Sequence, residues 1–324
     1  MSVVKVSSLH IYPIKSTAGI SLPHANVDEL GLAFDRRFVL SDPFGQFITG
    51  RTEPKLCLVK TNLTEQGLEL SAANMPTLIL SYKNFSDQYQ NVTIWGDKIA
   101  GQLCSIEANS WFSDYLQRPC QLLFFGAKSQ RERKSVTVDT KNNKARKIAF
   151  ADGYPLLLIS QASLDQLNFR LASNQQQKVS MAHFRPNIVV DNCLPFAEDG
   201  WQHIRIGEVE FKVSKPCQRC IFTTVNPITG EKHPAQQPLQ TLKSFRKNDN
   251  NEVLFGQNLI ALNRGQIKAG DQLTIISQQQ PPVFNSENTI HLTQATPVNN
   301  KKSSPSSSKD NDVTSKAAKQ QSKK

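Results

Sequence analysis

The sequence predicts a β-rich α+β protein with two domains and a low-complexity tail. Its 324 residues are enough for two domains that each bury a core. Most apolar segments are short, rich in β-branched or aromatic residues, and separated by Gly, Asn, Asp and Pro, which is typical of strands and turns. Two segments have helical spacing, so strands should supply most of the core.

The first 125 residues predict a sheet or barrel of short strands. The candidate strands are VVKVSSLHIYPI, RRFVLSD, LCLVKTNL, GLELSA, TLILSY, NVTIWG and CQLLFF. One helix is predicted over 109–116, where four apolar or aromatic residues recur at helical spacing after a polar start: Trp111, Phe112, Tyr115 and Leu116. We interpret that stripe as part of the core.

The rest of the folded chain predicts a second domain, α+β, with a barrel-like core. A strongly charged segment over 126–155 is expected to be a solvated connection between the two halves. SLDQLNFRL predicts a helix in which Ser163 and Gln166 have capping-box spacing. The candidate strands are PLLLIS, NIVVDN, HIRIGEVEFKVSK, CIFTTV and DQLTII. We therefore assign the two domains to residues 1–125 and 126–277.

Residues 278–324 predict a disordered basic tail. They are rich in Gln, Ser, Asn, Lys and Pro and poor in large apolar residues, so they cannot bury enough surface to offset the entropy of ordering. Part of the formal net charge of +11 lies there, which leaves the folded part only moderately basic. Because no basic motif is interleaved with aromatic residues, we do not expect nucleic acid as a partner.

The cysteines and the amino terminus predict a cytoplasmic protein. Six cysteines at irregular spacings do not form the framework of a disulfide-rich secreted protein, so we expect a reducing compartment. The chain starts directly with a strand-like segment and shows neither a signal peptide nor an apolar membrane anchor. No membrane partner is expected.

The segment KPCQRCIFTTV places Cys217 and Cys220 beside two fixed positive charges, Lys215 and Arg219. A structural zinc site usually needs two such pairs, and only one is present. A redox dithiol should begin a helix, whereas the residues that follow favour a strand. A single thiolate at Cys220, stabilised by its basic neighbours, could bind a soft metal. Spacing alone favours a structurally neutral pair over that site.

Four other segments place polar or charged residues at the ends of apolar β segments. They are YPIKS, FDRRF, FADGYPLLLIS and FRPNIVV. Lys15, Arg37, Arg185 and Asn187 emerge at these boundaries rather than in charged surface runs. Arg offers a planar pair of donors and Lys a point charge, so the set suits a phosphate or a polar heterocycle. Taken singly, each is better explained as a solvated surface residue.

In this order and spacing, the segments resemble one family. The chain is similar to proteins with a MOSC N-terminal β-barrel domain and a MOSC domain, such as mitochondrial amidoxime-reducing components and their bacterial YcbX-type relatives. The resemblance spans about residues 1–277 and continues through PLQTLKSFR, FGQN and GQIKAGDQL. It implies two β-barrel domains with a molybdenum cofactor in the cleft between them.

The resemblance also implies roles for individual residues. Cys220, the second cysteine of the motif, would be the molybdenum ligand and the catalytic residue, with Cys217 a bystander and Cys193 part of the core. The residues implied in cofactor binding are Lys15, Ser16, Arg37, Asp152, Gly153, Tyr154, Arg185, Asn187 and Arg219. Tyr154 departs from the family, whose relatives often have a small hydroxyl residue there. Pyridoxal phosphate is not required.

The implied reaction is reduction of N-hydroxylated compounds, a detoxifying activity on hydroxylamines, amidoximes and N-hydroxylated nucleobase analogues. Some relatives carry a fused ferredoxin-like domain, but no cysteine follows Cys220 here, so electrons are expected from a separate flavin or iron–sulfur protein. The basic tail is a candidate docking segment for that partner. The alternative is a carrier of molybdenum cofactor, or a sulfur-transfer protein, without reductase turnover.

Overall fold

Twenty strands and three α-helices form within residues 3–83, 85–137 and 145–284, which the computed structural model describes. The strands of the first half are β1 (Lys5–Ile11), β2 (Ile20–Leu22), β3 (His24–Asp28), β4 (Gly31–Leu32), β5 (Phe38–Ser41), β6 (Lys60–Leu63), β7 (Leu68–Ser71), β8 (Leu78–Leu80), β9 (Tyr89–Ile94), β10 (Asp97–Leu103) and β11 (Gln121–Phe124). Those of the second half are β12 (Glu132–Thr137), β13 (Ala145–Lys147), β14 (Leu156–Ser160), β15 (Ile188–Asp191), β16 (Trp201–Ile206), β17 (Val209–Gln218), β18 (Leu254–Ala261), β19 (Gly265–Lys268) and β20 (Leu273–Gln278). The α-helices are α1 (Ile106–Leu116), α2 (Gln161–Ser173) and α3 (Leu239–Arg246). The predicted β-rich α+β fold class is confirmed.

The largest sheet joins the two ends of the described chain. Its eight strands lie in the order β2-β1-β15-β14-β18-β17-β16-β20. Strand β1 pairs antiparallel with β15, with Leu9 opposite Ile188, and β15 pairs parallel with β14. The first strand of the chain is therefore part of the sheet built from the second half. The predicted domain boundary at residue 125 stays a prediction.

The pairing of these three strands brings separate sequence segments to one edge of the sheet. The carboxyl end of β1 lies beside the amino end of β15 because the two strands are antiparallel. The amino end of β14 lies at the same edge because β14 is parallel to β15. The residues that follow β1 and those that precede β14 and β15 therefore meet there.

The predicted helices form, but their starts differ from the prediction. Helix α1 begins at Ile106 because the side chain of Ser105 caps it by accepting the backbone N–H of Ala108. Its aromatic stripe is core as expected, with Phe112 fully buried. Helix α2 is capped by Ser160, not by Ser163, whose backbone N–H is the group that Ser160 accepts.

The predicted strand CIFTTV does not form. Strand β17 ends at Gln218, and Ile221–Thr224 form a turn of 3₁₀ helix. The hydroxyl of Thr223 donates to the carbonyl of Cys220 at 2.9 Å, and that of Thr224 to the carbonyl of Ile221 at 2.8 Å. Such local bonds compete with a strand ladder, so β-branched residues that predict a strand here close a turn instead.

The charged segment over 126–155 is only partly the solvated connection that was expected. Strands β12 and β13 pair antiparallel within it, and residues 138–144 lie outside the described part. Arg131 is buried, and its guanidinium donates to Asp97 and to the carbonyls of Ala149 and Ala151. The predicted disordered tail, 278–324, lies outside the description from residue 285 onward.

The ion pair between Arg246 and Asp199 is buried. Arg246 donates from two nitrogens to the two carboxylate oxygens of Asp199, at 2.6 and 3.0 Å, and both side chains are 4% exposed. Gln257 donates to the same carboxylate at 2.6 Å. Removing one member leaves a buried charge without its partner.

We expect Arg246→Met to lower the free energy of unfolding by about 3–5 kcal/mol. The matched control is Arg118→Met, which removes the more exposed ion pair with Glu53 and should cost no more than about 1 kcal/mol. Denaturant unfolding followed by circular dichroism measures both. Equal costs for the two variants would contradict this assignment.

Candidate functional site

A cleft collects residues from both halves of the chain, and nine of the ten predicted site residues line it. Lys15 and Ser16 follow β1, whereas Asp152, Gly153 and Tyr154 precede β14. Arg185 and Asn187 precede β15, and Arg219 and Cys220 follow β17. The shared sheet edge at β1, β14 and β15 accounts for the meeting of the first seven. Their binding roles remain predictions.

Arg37 is the predicted residue that the structure places elsewhere. Its guanidinium donates to both carboxylate oxygens of Asp28, at 2.9 and 2.8 Å, away from the cleft lining. Its neighbour Arg36 lines the cleft instead. Arg36 lies before β5 with a left-handed φ of 48°, and its side chain reaches the cleft, whereas the side chain of Arg37 is held by Asp28. The sequence motif FDRRF could not distinguish them.

Arg36 is held by a dense set of acceptors. It donates to the two oxygens of Asp35 at 2.8 and 2.7 Å and to the side-chain oxygen of Asn187 at 3.1 Å. It also donates to the backbone carbonyl of Arg185 at 3.1 Å. These contacts link the segment before β5 to the segment before β15.

Two guanidinium groups lie against the ring of Tyr12. The guanidinium carbons of Arg36 and Arg185 lie 4.4 and 4.0 Å from the centroid of its ring, which is a cation–π arrangement for each. The Tyr12 hydroxyl donates to the carbonyl of Pro186 at 3.2 Å, and its backbone N–H donates to Asp35 at 2.9 Å. Burial raises the pKa of Tyr12 to about 12, although the two arginines oppose the rise, so it is neutral at physiological pH.

The cleft carries more positive than negative charge. Burial, together with repulsion from Arg36, lowers the pKa of Arg185 to about 10, yet the group stays charged near neutral pH. Burial alone would raise the pKa of Asp152, but the Lys15 ammonium, the Trp95 indole and Arg51 hold it well below its usual range. The two carboxylates, Asp35 and Asp152, are outnumbered by the basic side chains of the lining, which are Lys15, Arg36, Arg51, Arg185 and Arg219.

Two buried donors in the cleft have no hydrogen-bond partner within the described residues. They are Nη2 of Arg185 and Nε of Arg219. A buried unpaired guanidinium N–H is costly, so each donor is available to an anion that enters the cleft. The other groups of Arg219 are fixed, because Nη2 donates to the carbonyl of Phe184 at 2.7 Å and Nη1 to the sulfur of Cys217 at 3.1 Å.

The backbone is strained at three cleft residues. Ser16, Arg36 and Arg185 have φ of 75°, 48° and 57°, in the left-handed region that non-glycine residues seldom adopt. Such conformations persist where surrounding contacts fix them and are frequent at functional sites. The hydroxyl of Ser16 accepts the backbone N–H of Gly50 at 2.9 Å, which fixes that side chain beside Lys15.

The two thiols of KPCQRC have different surroundings. Cys217 accepts the hydrogen bond from Arg219, whereas Cys220 stands immediately before the 3₁₀ turn that its carbonyl helps to close. Within residues 3–83, 85–137 and 145–284, no three His, Cys, Asp or Glu side chains cluster as metal ligands.

Several lining residues were missed by sequence reasoning. Arg36, Arg51 and His183 line the cleft, and Tyr12 organises two of its arginines. Tyr12 and Arg36 lie inside the motifs YPIKS and FDRRF, so those motifs carried the signal for them. Arg51 and His183 have no comparable pattern in the sequence.

We expect inorganic pyrophosphate to raise the melting temperature of the cofactor-free protein, because the unpaired donors gain an anion. Each kcal/mol of binding free energy raises the melting temperature by roughly 2–4 °C in a protein of a few hundred residues. Arg185→Met should remove most of the rise. The control Arg264→Met changes an exposed arginine outside the cleft lining and should keep it. A rise that both variants keep would contradict an anion site at Arg185.

Comparison with known proteins gives two family matches and a set of relatives. Residues 3–119 match the MOSC N-terminal beta barrel domain, and residues 145–274 match the MOSC domain. The chain is 35% identical over 290 residues to mitochondrial amidoxime-reducing component 1 of Mus musculus, covering 84% of this chain and 82% of that protein. It is 37% identical over 278 residues to mitochondrial amidoxime reducing component 2 of Bos taurus, covering 82% and 81%.

Among solved structures, YUAD protein from Bacillus subtilis is similar with a TM-score of 0.38 at 10% identity, over 84% of this chain and 94% of that chain. That likeness is too weak to support a conclusion.

The predicted cytoplasmic location is wrong in light of these relatives, which are named as mitochondrial components. Basic composition and cysteine spacing do not encode the organelle, so the prediction had no signal to use. Within the described residues, no helix has the length and apolar character needed to cross a bilayer.

Proposed function

The chain belongs to the family of proteins with a MOSC N-terminal β-barrel domain and a MOSC domain, and from this premise we propose that it reduces N-hydroxylated compounds. The membership confirms the family resemblance predicted from the sequence. Its relatives are named for reducing amidoximes. The observation that carries the proposal is the cleft itself, where the Cys220 thiol lies among buried cations with unpaired donors. The proposed substrates are amidoximes, hydroxylamines and N-hydroxylated nucleobase analogues.

We propose a molybdenum cofactor as the group that the cleft holds, and the residues present fit it. A thiolate is a soft ligand suited to molybdenum, and the family resemblance makes Cys220, the second cysteine of the motif, the proposed metal ligand. The phosphate of the pterin needs charge-assisted donors, and Arg185 and Arg219 each have one unpaired. Lys15, Ser16, Asn187 and Arg36 complete the set of polar groups around it.

When bound, the cofactor supplies transfer of the oxygen and of two electrons. The overall change is R–NHOH plus two electrons and two protons giving R–NH₂ and water, in which the N–O bond breaks. The protein positions and encloses the reactants. Cys220 is held by the turn that Thr223 closes on its carbonyl. The carbonyl of Phe184 and the sulfur of Cys217 fix the guanidinium of Arg219, so its charge is preorganised in the cleft that Cys220 also lines.

We also propose that electrons come from a separate flavin or iron–sulfur protein. A ferredoxin-type iron–sulfur cluster needs four cysteines at a set spacing, and the six cysteines of these 324 residues do not have that spacing. The candidate docking tail lies outside the described residues from 285 onward.

The deciding experiment uses protein made in a host that synthesises molybdenum cofactor. We expect molybdenum by elemental analysis, a fluorescent oxidised pterin, and reduction of an amidoxime with a chemical electron donor. Protein that contains the metal but reduces no N-hydroxylated compound would instead support a carrier or sulfur-transfer role. Protein with neither metal nor pterin would refute the assignment of the cofactor.

Single substitutions separate the roles of Cys193, Cys217 and Cys220. Cys220→Ala should lose molybdenum and nearly all amidoxime reduction, because it removes the proposed metal ligand. Cys217→Ala should retain most of both, and the control Cys193→Ala, outside the cleft lining, should behave as the wild type. Metal content and activity are measured on the same preparations. Equal losses from Cys217→Ala and Cys220→Ala would favour a paired thiol site.

A further inference from the structure

Trp95 lies in the two-residue turn between β9 and β10, a turn that favours Asn or Gly. Strands β9 and β10 are joined by Trp95 and Gly96, whose φ angles are 50° and 88°. Two left-handed residues between antiparallel strands form the turn that Asn-Gly and Gly-Gly favour. Glycine adopts this conformation freely, whereas a bulky residue such as Trp is strained in it. Strain of this kind points to a role for the side chain.

The side chain of Trp95 is fixed to two residues of the cleft. Its indole N–H donates to the carboxylate of Asp152 at 2.9 Å. The guanidinium carbon of Arg51 lies 4.1 Å from the centroid of its ring, and the ring of Phe47 contacts it at a centroid distance of 5.0 Å. Because Arg51 and Asp152 both line the cleft, the indole lies at its rim.

The indole keeps much of its surface in solvent although it is held in place. Trp95 is 43% exposed, whereas Trp111 and Trp201 are 4% and 2% exposed. These are the three tryptophans of the sequence. A fixed and exposed aromatic surface beside a polar cleft is suited to a planar ligand, because stacking needs no further ordering of the protein side chain.

We propose that Trp95 stacks against the planar part of the substrate and thereby selects aromatic N-hydroxylated compounds over aliphatic ones. This inference rests on the proposed function. In the proposed arrangement the N–O bond of an aryl amidoxime or N-hydroxylated base enters the cleft and the attached ring covers the exposed part of the indole. The contacts of the indole with Arg51 and Asp152 fix its position. A methyl group in place of the ring would leave the indole uncovered.

The test compares benzamidoxime with acetamidoxime, which carries the same N–O group without a ring. Both are titrated into the molybdenum-loaded protein without an electron donor, and binding is followed by equilibrium dialysis. Tryptophan fluorescence is recorded in parallel, because Trp111 and Trp201 are buried and quenching on binding therefore reports Trp95. We expect benzamidoxime to bind more tightly and to quench the emission.

Two substitutions isolate the ring. Trp95→Asn creates Asn-Gly, the favoured pair for this turn, so the melting temperature should not fall. It should weaken benzamidoxime binding about fivefold to tenfold and leave acetamidoxime within about twofold, as expected for the loss of one aromatic contact. Trp95→Phe keeps an aromatic ring and should lose about threefold or less. The same pattern is expected in the KM for reduction, with kcat little changed.

Three outcomes would overturn the inference: wild-type protein that prefers neither amidoxime, unchanged benzamidoxime binding in Trp95→Asn, or equal losses for both ligands. The last would mean that Trp95 acts only by positioning Asp152 and Arg51. Failure of the proposed function looks different, since the loaded protein would then bind benzamidoxime at Trp95 but not reduce it.

Discussion

The site depends on holding two arginines close together in a buried place. Arg36 and Arg185 come from opposite halves of the chain, and each lies against one ring, that of Tyr12. Arg36 and Arg185 repel each other, and the carboxylate of Asp35, which accepts from Arg36, offsets part of that repulsion. The left-handed backbone at both arginines is part of the cost of that geometry. An anion that enters this cleft would form charge-assisted hydrogen bonds with the arginines and reduce their mutual repulsion.

The sheet supplies the framework that makes this meeting possible. Strand β1 sits beside β15, and the loops at their shared edge carry Lys15 and Asn187 toward each other. Lys15 and Asn187 are far apart in the sequence, but strand pairing brings them close together at the site. The same framework explains why the cleft draws on both family domains rather than lying within one.

Fold class and most of the site could be predicted from the sequence, because short β-rich segments and polar residues at strand boundaries are local signals. Other features depend on contacts that one sequence does not display. The choice between Arg36 and Arg37 depends on the left-handed backbone at Arg36 and on the ion pair of Arg37 with Asp28. The turn after Cys220 forms because threonine hydroxyls bond back to the chain, although their β-branched character favours a strand. Trp95 falls in the predicted strand NVTIWG, because an aromatic residue favours a strand, whereas it forms the turn between β9 and β10.

The pairing of β1 with β15 has a consequence for how the protein is made. On the ribosome, the first strand emerges early but cannot complete its ladder until residues 188–191 have been added. At about 5–20 residues per second, this leaves an apolar strand edge uncovered for roughly ten seconds or longer. The cleft is therefore assembled only after most of the polypeptide has left the exit tunnel.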